Sequence, residues 1–120
     1  MLPHAAFLIG LGLVINVADT VPRYDVRSTC RAAISLAGGG SEGRTVDNCV
    51  SGEDVARKDL EKQWAKLPTS ERTQCMGTVT VGGSPSYVEL LICLEMMGDS
   101  RMHRQEEQTK AKQSSTNRIR

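Results

Sequence analysis

Residues 51–68 read SGEDVARKDLEKQWAKLP and give the strongest helical pattern in the chain. Apolar side chains recur there at steps of four, four and three, which places them on one helix face: Ala56, Leu60, Trp64 and Leu67. We predict that this helix begins after Ser51 as its N-cap and stops at Pro68.

Charged residues fill the other positions of this helix. Glu53 precedes Arg57, and Asp54 precedes Lys58, by four residues each, with the acid first, the favourable orientation for a helical ion pair. We therefore interpret the acids of this segment as its solvated face: Glu53, Asp54, Asp59 and Glu61.

Three further segments have helical patterns. Residues 25–37 place Val26, Cys30 and Ala33 on one face and end at a run of glycines. A short helix beginning at Thr69 or Ser70 carries Cys75, and residues 77–85 are predicted as a loop with a possible short extended piece, TVTV. The fourth helix starts near Ser86, in SYVELLICLEM.

These patterns predict an all-α fold of four helices, the third one short, closed by two disulfides. Residues 19–98 form the helical domain, and residues 99–120 form a polar basic tail that stays helical for a few turns and then frays into QSSTNRIR. The predicted core consists of Ala33, Ile34, Leu60, Trp64, Leu90, Leu94 and Met97.

The N-terminal segment has the pattern of an export signal. Residues 5–17 read AAFLIGLGLVINV, thirteen residues without a charge, which is too short for a comfortable membrane span. We predict a signal peptide over residues 1–18, with cleavage after Ala18 or, second, Thr20, and a periplasmic or secreted protein. Because no Lys or Arg precedes Arg23, either the signal is weak or the true start codon lies upstream. An uncleaved anchor or a buried N-terminal helix is the alternative.

The cysteines are Cys30, Cys49, Cys75 and Cys93. Export favours disulfides over reduced thiols. A zinc site is disfavoured because zinc ligands usually come in close pairs such as C-x-x-C. The interval from Cys30 to Cys49 is similar in length to that from Cys75 to Cys93, which favours pairing within each interval. Sequence alone leaves the nested pairing open, in which residue 30 bonds to residue 93 and residue 49 to residue 75.

The chain offers no convincing catalytic set, so we predict no catalytic residue and no cofactor. Its two histidines, His4 and His103, lie in the predicted signal and near the tail, and none of the cysteines forms the C-x-x-C pattern of a thiol oxidoreductase. Glu89 and Glu95 interrupt an apolar run and are expected at the margin of the buried face. A deep pocket that joins either acid to a second titratable group would indicate an enzyme.

Two weaker possibilities involve metal and membrane. Thioethers and imidazole suit Cu(I), which makes Met96, Met97, Met102 and His103 weak metal candidates, although core packing explains the methionines better. The segment 101–120 is basic and would contact an anionic membrane only weakly, whereas a net charge of +1 argues against a nucleic-acid binder.

Several segments together resemble a group of small uncharacterised exported proteins of rhizobia and related bacteria. The resemblance covers residues 25–97, and its most specific part is the last of these segments: CRAA (30–33), Cys49, VARKDLEKQW (55–64), Arg72-x-x-Cys75 and SYVELLICLE (86–95). It implies a disulfide-bearing helical protein of the cell envelope and no particular activity.

The leading functional hypothesis is a non-enzymatic exported envelope protein with a binding or structural role and an envelope protein as its partner. There are two alternatives. One is copper handling, and the other is an acid-stress chaperone, which would expose its helices when its carboxylates become protonated. Trp64 is predicted to be the central anchor of the core; if it is exposed instead, Trp64 and Tyr87 become candidate partner-binding residues.

Overall fold

The computed structural model describes residues 19–38 and 45–119. Over these residues the chain is helical without a strand, which confirms the predicted all-α fold of four helices. The third helix is not the short one that we predicted, since its 12 residues exceed the 11 of the first helix. The predicted signal peptide lies outside the described residues. The helices are α1 (Val26–Leu36), α2 (Val46–Gln63), a single 3-10 turn (Trp64–Lys66), α3 (Thr69–Thr80) and α4 (Tyr87–Arg118).

The helix α1 begins and ends as its sequence predicts. The Asp25 carboxylate caps it by accepting a hydrogen bond from the Ser28 backbone N–H at 3.2 Å. Gly38 follows its end at φ +87°, in the left-handed region that glycine adopts readily. The core prediction was wrong for Ala33, which is exposed, and for Ile34, which is half-buried outside the core cluster. The reason is that α1 packs mainly against α2 and buries fully only Cys30.

The helix α2 starts earlier than predicted. Thr45, not Ser51, is the N-cap, and its hydroxyl accepts a hydrogen bond from the Asn48 backbone N–H at 3.1 Å. Cys49 therefore lies within α2 rather than in a preceding loop. Gly52 lies inside the helix, where a single glycine costs only about 1 kcal/mol, and the 18 residues of α2 tolerate it.

The apolar stripe of α2 is confirmed. Leu60 is fully buried and Trp64 is 4% exposed, while Leu67 is half-buried and packs against the same core. The helix tightens into the 3-10 turn at Trp64, and Pro68 then prevents its continuation.

The helix α3 is longer than its sequence suggested. We predicted a loop from Gly77 with a possible extended TVTV piece, and this was wrong, because the helix continues to Thr80. The hydroxyl of Thr78 donates to the Gln74 carbonyl one turn back, at 3.0 Å. Val79 is 7% exposed, so packing of this side chain into the core accounts for the helical continuation.

The helix α4 runs for 32 residues from its N-cap Ser86. Leu90 and Leu94 are buried and Met97 is half-buried, as predicted. The predicted fraying of the tail was wrong, since the helix continues to Arg118 with every side chain exposed from Met102 onward. This exposed arm is about 25 Å long at 1.5 Å per residue.

The helices pack in series. The main contacts join α1 to α2, α2 to α4 and α4 to α3. Within residues 19–38 and 45–119, no helix has the length and apolar character needed to cross a membrane. The core is formed by α2, α3 and α4, and its buried residues are Ala56, Leu60, Trp64, Cys75, Val79, Tyr87, Leu90 and Leu94.

Candidate functional site

Two disulfides join neighbouring helices. Cys30 bonds to Cys49 between α1 and α2, and Cys75 bonds to Cys93 between α3 and α4, which confirms the sequential pairing and contradicts the nested one. In both pairs the Cα atoms are 5.7 Å apart, an ordinary disulfide separation. Because all four sulfurs are bonded in pairs, none is present as a thiolate nucleophile or metal ligand.

The methionine and histidine candidates for copper are divided between the core and the surface. The Met97 sulfur lies 3.4 Å from the Cys75 sulfur and packs against the core. Met96 and Met102 are 65% and 58% exposed, and His103 is exposed on the same helix. In the part of the chain that the structure describes, no group of three or more His, Cys, Asp or Glu residues forms a metal site.

Glu53 is the main departure from the predicted surface. It is 5% exposed, and its carboxylate accepts hydrogen bonds from the Ser86 hydroxyl at 2.5 Å and from the Tyr87 backbone N–H at 2.6 Å. The predicted ion pair between Glu53 and Arg57 is therefore wrong. Asp54 does pair with Lys58, at 3.1 Å.

This buried carboxylate joins two helices. Ser86 caps α4, and its hydroxyl accepts a hydrogen bond from the Glu89 N–H while donating to Glu53. A negative charge at a helix N-terminus is favoured by the exposed N–H groups of the first turn. The start of α4 is thus fixed to the side of α2, which makes Glu53 a structural residue.

The segment before α1, residues 19–25, is fixed on the core by Tyr87. The Tyr87 hydroxyl accepts a hydrogen bond from the Tyr24 backbone N–H at 2.9 Å and donates one to the Pro22 carbonyl at 2.8 Å. The two tyrosine rings lie 4.8 Å apart. Burial raises the pKa of Tyr24 to about 12, with a smaller contribution from the neighbouring Tyr87.

Trp64 and Tyr87 belong to the core. They are 4% and 3% exposed, so the structure favours the core interpretation over that of exposed partner-binding residues. The Arg72 guanidinium lies 5.5 Å from the centre of the Trp64 ring, a cation–π distance. Arg72 also donates a hydrogen bond to the Thr69 hydroxyl at 2.9 Å.

A cavity of about 940 Å³ lies between residues 19–24 and α2, and two of its charged lining residues, Arg57 and Glu61, form an ion pair. Arg57 contacts Asp54 at 2.6 Å and Glu61 at 2.8 Å. Hydrogen bonds from Arg57 and then Lys58 lower the pKa of Asp54, so its carboxylate stays ionised. Asp54, Arg57, Lys58 and Glu61 thus form a solvated ion-pair network on the side of α2.

A more apolar groove of about 590 Å³ lies between α3 and α4, over the Cys75–Cys93 disulfide. Gln74 and Thr78 line its α3 side. The α4 side is lined by Glu89, Ile92, Cys93, Met96, Ser100 and Arg104.

The centre of this groove exposes apolar side chains. Ile92 is 49% exposed and Met96 is 65% exposed, and Val88, one turn earlier, is 37% exposed. Spacings of four residues place these three side chains along one side of α4. From the sequence, Met96 was only a metal candidate, and the exposed strip was not predictable. Which faces of α4 are covered by α2 and α3 depends on tertiary packing.

Charged side chains stand at the two ends of the groove. Glu89 and Arg104 are about 22 Å apart along α4, and neither forms an ion pair with another described residue. Glu95 is exposed and does not line the groove. The groove therefore does not place an acid beside a second titratable group, the arrangement that would indicate an enzyme.

Comparison with known protein families, with curated proteins and with solved structures finds no match to this chain.

Proposed function

We propose that this chain is a non-enzymatic exported protein of the cell envelope that binds a partner protein in the α3/α4 groove. The exposed apolar strip carries the proposal: Val88, Ile92 and Met96 lie side by side on α4 within or beside a groove with charged ends. Apolar surface surrounded by polar groups is characteristic of protein interaction sites.

The rigidity of the groove supports a binding role. The Cys75–Cys93 disulfide fixes α4 to α3 beneath the groove, and an ion pair of 2.9 Å between Arg101 and the buried Glu71 fixes the two helices again further along. A pre-ordered surface loses little conformational entropy when a partner binds. The relative position of α3 and α4 is thus fixed before a partner binds.

The exported location rests on two observations. Residues 1–18 have the pattern of a secretory signal, and the described residues contain two disulfides, which persist in oxidising compartments. The resemblance to exported proteins of rhizobia and related bacteria is consistent with a place in the envelope. Copper handling has less support, since the Met97 sulfur packs against a disulfide in the core.

The test is quantitative recovery of envelope proteins on the full, oxidised chain. We expect Met96→Asp, which places a charge in the centre of the groove, to abolish recovery of the bound partner. Val81→Asp is the matched control, because Val81 is 86% exposed and does not line the groove. Equal recovery on both variants and on the wild type would contradict the proposal.

A further inference from the structure

We infer that the partner in the α3/α4 groove is a second copy of this chain, with the two α4 helices antiparallel and related by a two-fold axis beside Met96. The inference rests on the proposed use of the groove as a binding surface. Two features of α4 support it: the charges on the two sides of Met96 are opposite in sign, and the side chains on the two sides differ in size.

The charges at the groove ends are complementary under this symmetry. Glu89 lies seven residues before Met96 and Arg104 lies eight residues after it. In an antiparallel pair centred at Met96, position 103 of the second copy lies opposite Glu89, and Arg104 lies one residue, about 1.5 Å, further along the helix. The long Arg104 side chain spans this offset to Glu89, and the symmetry repeats the contact at the other end. Glu89 and Arg104, which form no ion pair with another described residue of the same chain, thus form two ion pairs between the copies.

The side chains between these charges are complementary in size. Ile92 lies four residues before Met96 and Ser100 four residues after it, so each large Ile92 side chain faces a small Ser100 of the other copy. Met96 meets its own symmetry mate at the axis. Its flexible thioether side chain adapts to such a contact.

The symmetry also closes the assembly. A two-fold contact uses the same surface on both copies, so it produces a dimer and leaves no binding surface that would extend a filament. One helix pair of this length forms a small interface, and such interfaces are weak. We expect a dimer that dissociates in the micromolar to sub-millimolar range.

The test is a charge exchange measured by sedimentation equilibrium on the full, oxidised chain. Glu89→Arg and Arg104→Glu should each weaken dimerisation at least about tenfold, because both symmetric contacts then join like charges. An equimolar mixture of the two variants should recover the wild-type affinity, since both contacts of the mixed dimer join Arg to Glu. Glu95→Arg and Lys112→Glu, the same charge changes outside the groove, should dimerise as the wild type does.

Three outcomes would overturn the inference: a wild-type chain that is monomeric throughout the range, single variants that dimerise normally, or a mixture that is no tighter than its components. Far-UV circular dichroism checks that each variant is helical, and the variants alter exposed side chains only. If the wild type is monomeric while Met96→Asp still abolishes recovery of an envelope protein, self-association is wrong and the proposed function stands.

Discussion

The Glu53 carboxylate accepts a hydrogen bond from the Ser86 hydroxyl, at 2.5 Å, across 33 residues of sequence. The same carboxylate accepts a second hydrogen bond from the Tyr87 N–H, so α2 supplies a cap to the first turn of α4. The long helix that carries the groove is therefore fixed at its start by a buried acid and along its length by the core.

Glu53→Ala should lower the free energy of unfolding by about 2–4 kcal/mol, because it leaves the Ser86 hydroxyl and the Tyr87 N–H buried without an acceptor. Glu53→Gln should cost less, because its amide oxygen retains one acceptor. Urea unfolding followed by circular dichroism measures both variants.

Asp59→Asn is the control for this pair of variants. Asp59 is an exposed acid on the same helix, and its replacement should change the unfolding free energy by less than about 0.5 kcal/mol. A Glu53→Ala protein as stable as this control would contradict the structural role of the buried carboxylate.

The sequence predicted the elements that depend on local pattern. The stripe of Leu60 and Trp64 identified α2, the pattern of residues 25–37 identified α1, and the similar cysteine intervals favoured the pairing that the structure has. These features follow from helical periodicity, capping chemistry and chain spacing.

Features that depend on packing were not predictable. Glu53 has the favourable spacing for a surface ion pair with Arg57, yet the start of α4 covers it. The TVTV segment has strand-forming residues, yet burial of Val79 keeps it helical. The groove depends on which side of α4 the other helices leave uncovered, a tertiary property.

Removal of the hydroxyl group should lower the stability of the fold at Tyr87 but not at Tyr24. Tyr87→Phe removes two hydrogen bonds and should cost about 1–3 kcal/mol, since both the Tyr24 N–H and the Pro22 carbonyl lose a partner. The buried Tyr24 hydroxyl has no hydrogen-bond partner among the described residues, so Tyr24→Phe should be neutral or slightly stabilising. Thermal unfolding of the two variants provides the comparison.

The pH dependence of stability gives a second measurement on Tyr24. Its pKa rises from 10.0 to about 12 on folding, so the folded state favours the protonated hydroxyl. This contribution is fully present below pH 10 and is lost as the pH rises to about 12. Tyr24→Phe should lack that alkaline loss; an identical loss in the variant would contradict the assignment.

Trp64→Ala should cost about 3–5 kcal/mol, because it removes the largest side chain of the core and leaves a cavity. The folded protein should show blue-shifted tryptophan emission, since Trp64 is 4% exposed. Trp64→Phe, which keeps an aromatic ring at the site, should cost less. Emission at the water-exposed maximum, together with unchanged stability in Trp64→Ala, would refute the core assignment.

Loss of the Cys30–Cys49 disulfide should release α1 locally. Cys30 is the only fully buried residue of α1 among those described, so this bond is a main attachment of the helix, beside the hydrogen bond from the Thr29 hydroxyl to the Pro85 carbonyl at 2.9 Å. In the Cys30→Ala/Cys49→Ala double variant, amide hydrogen exchange should accelerate over residues 26–36 and remain slow in α2 and α4. Slow exchange in α1 of that variant would show that packing alone retains it.

The most direct measurement of the central claim is photo-cross-linking from the groove in the native envelope. A photoreactive amino acid at position 96 should give one defined covalent adduct, and the same amino acid at position 55, where Val55 is 66% exposed on α2, should give none. An adduct of twice the chain's mass identifies a second copy, and another mass identifies a different protein. No adduct at position 96, or the same adducts at both positions, would contradict the claim that the α3/α4 groove is the binding surface.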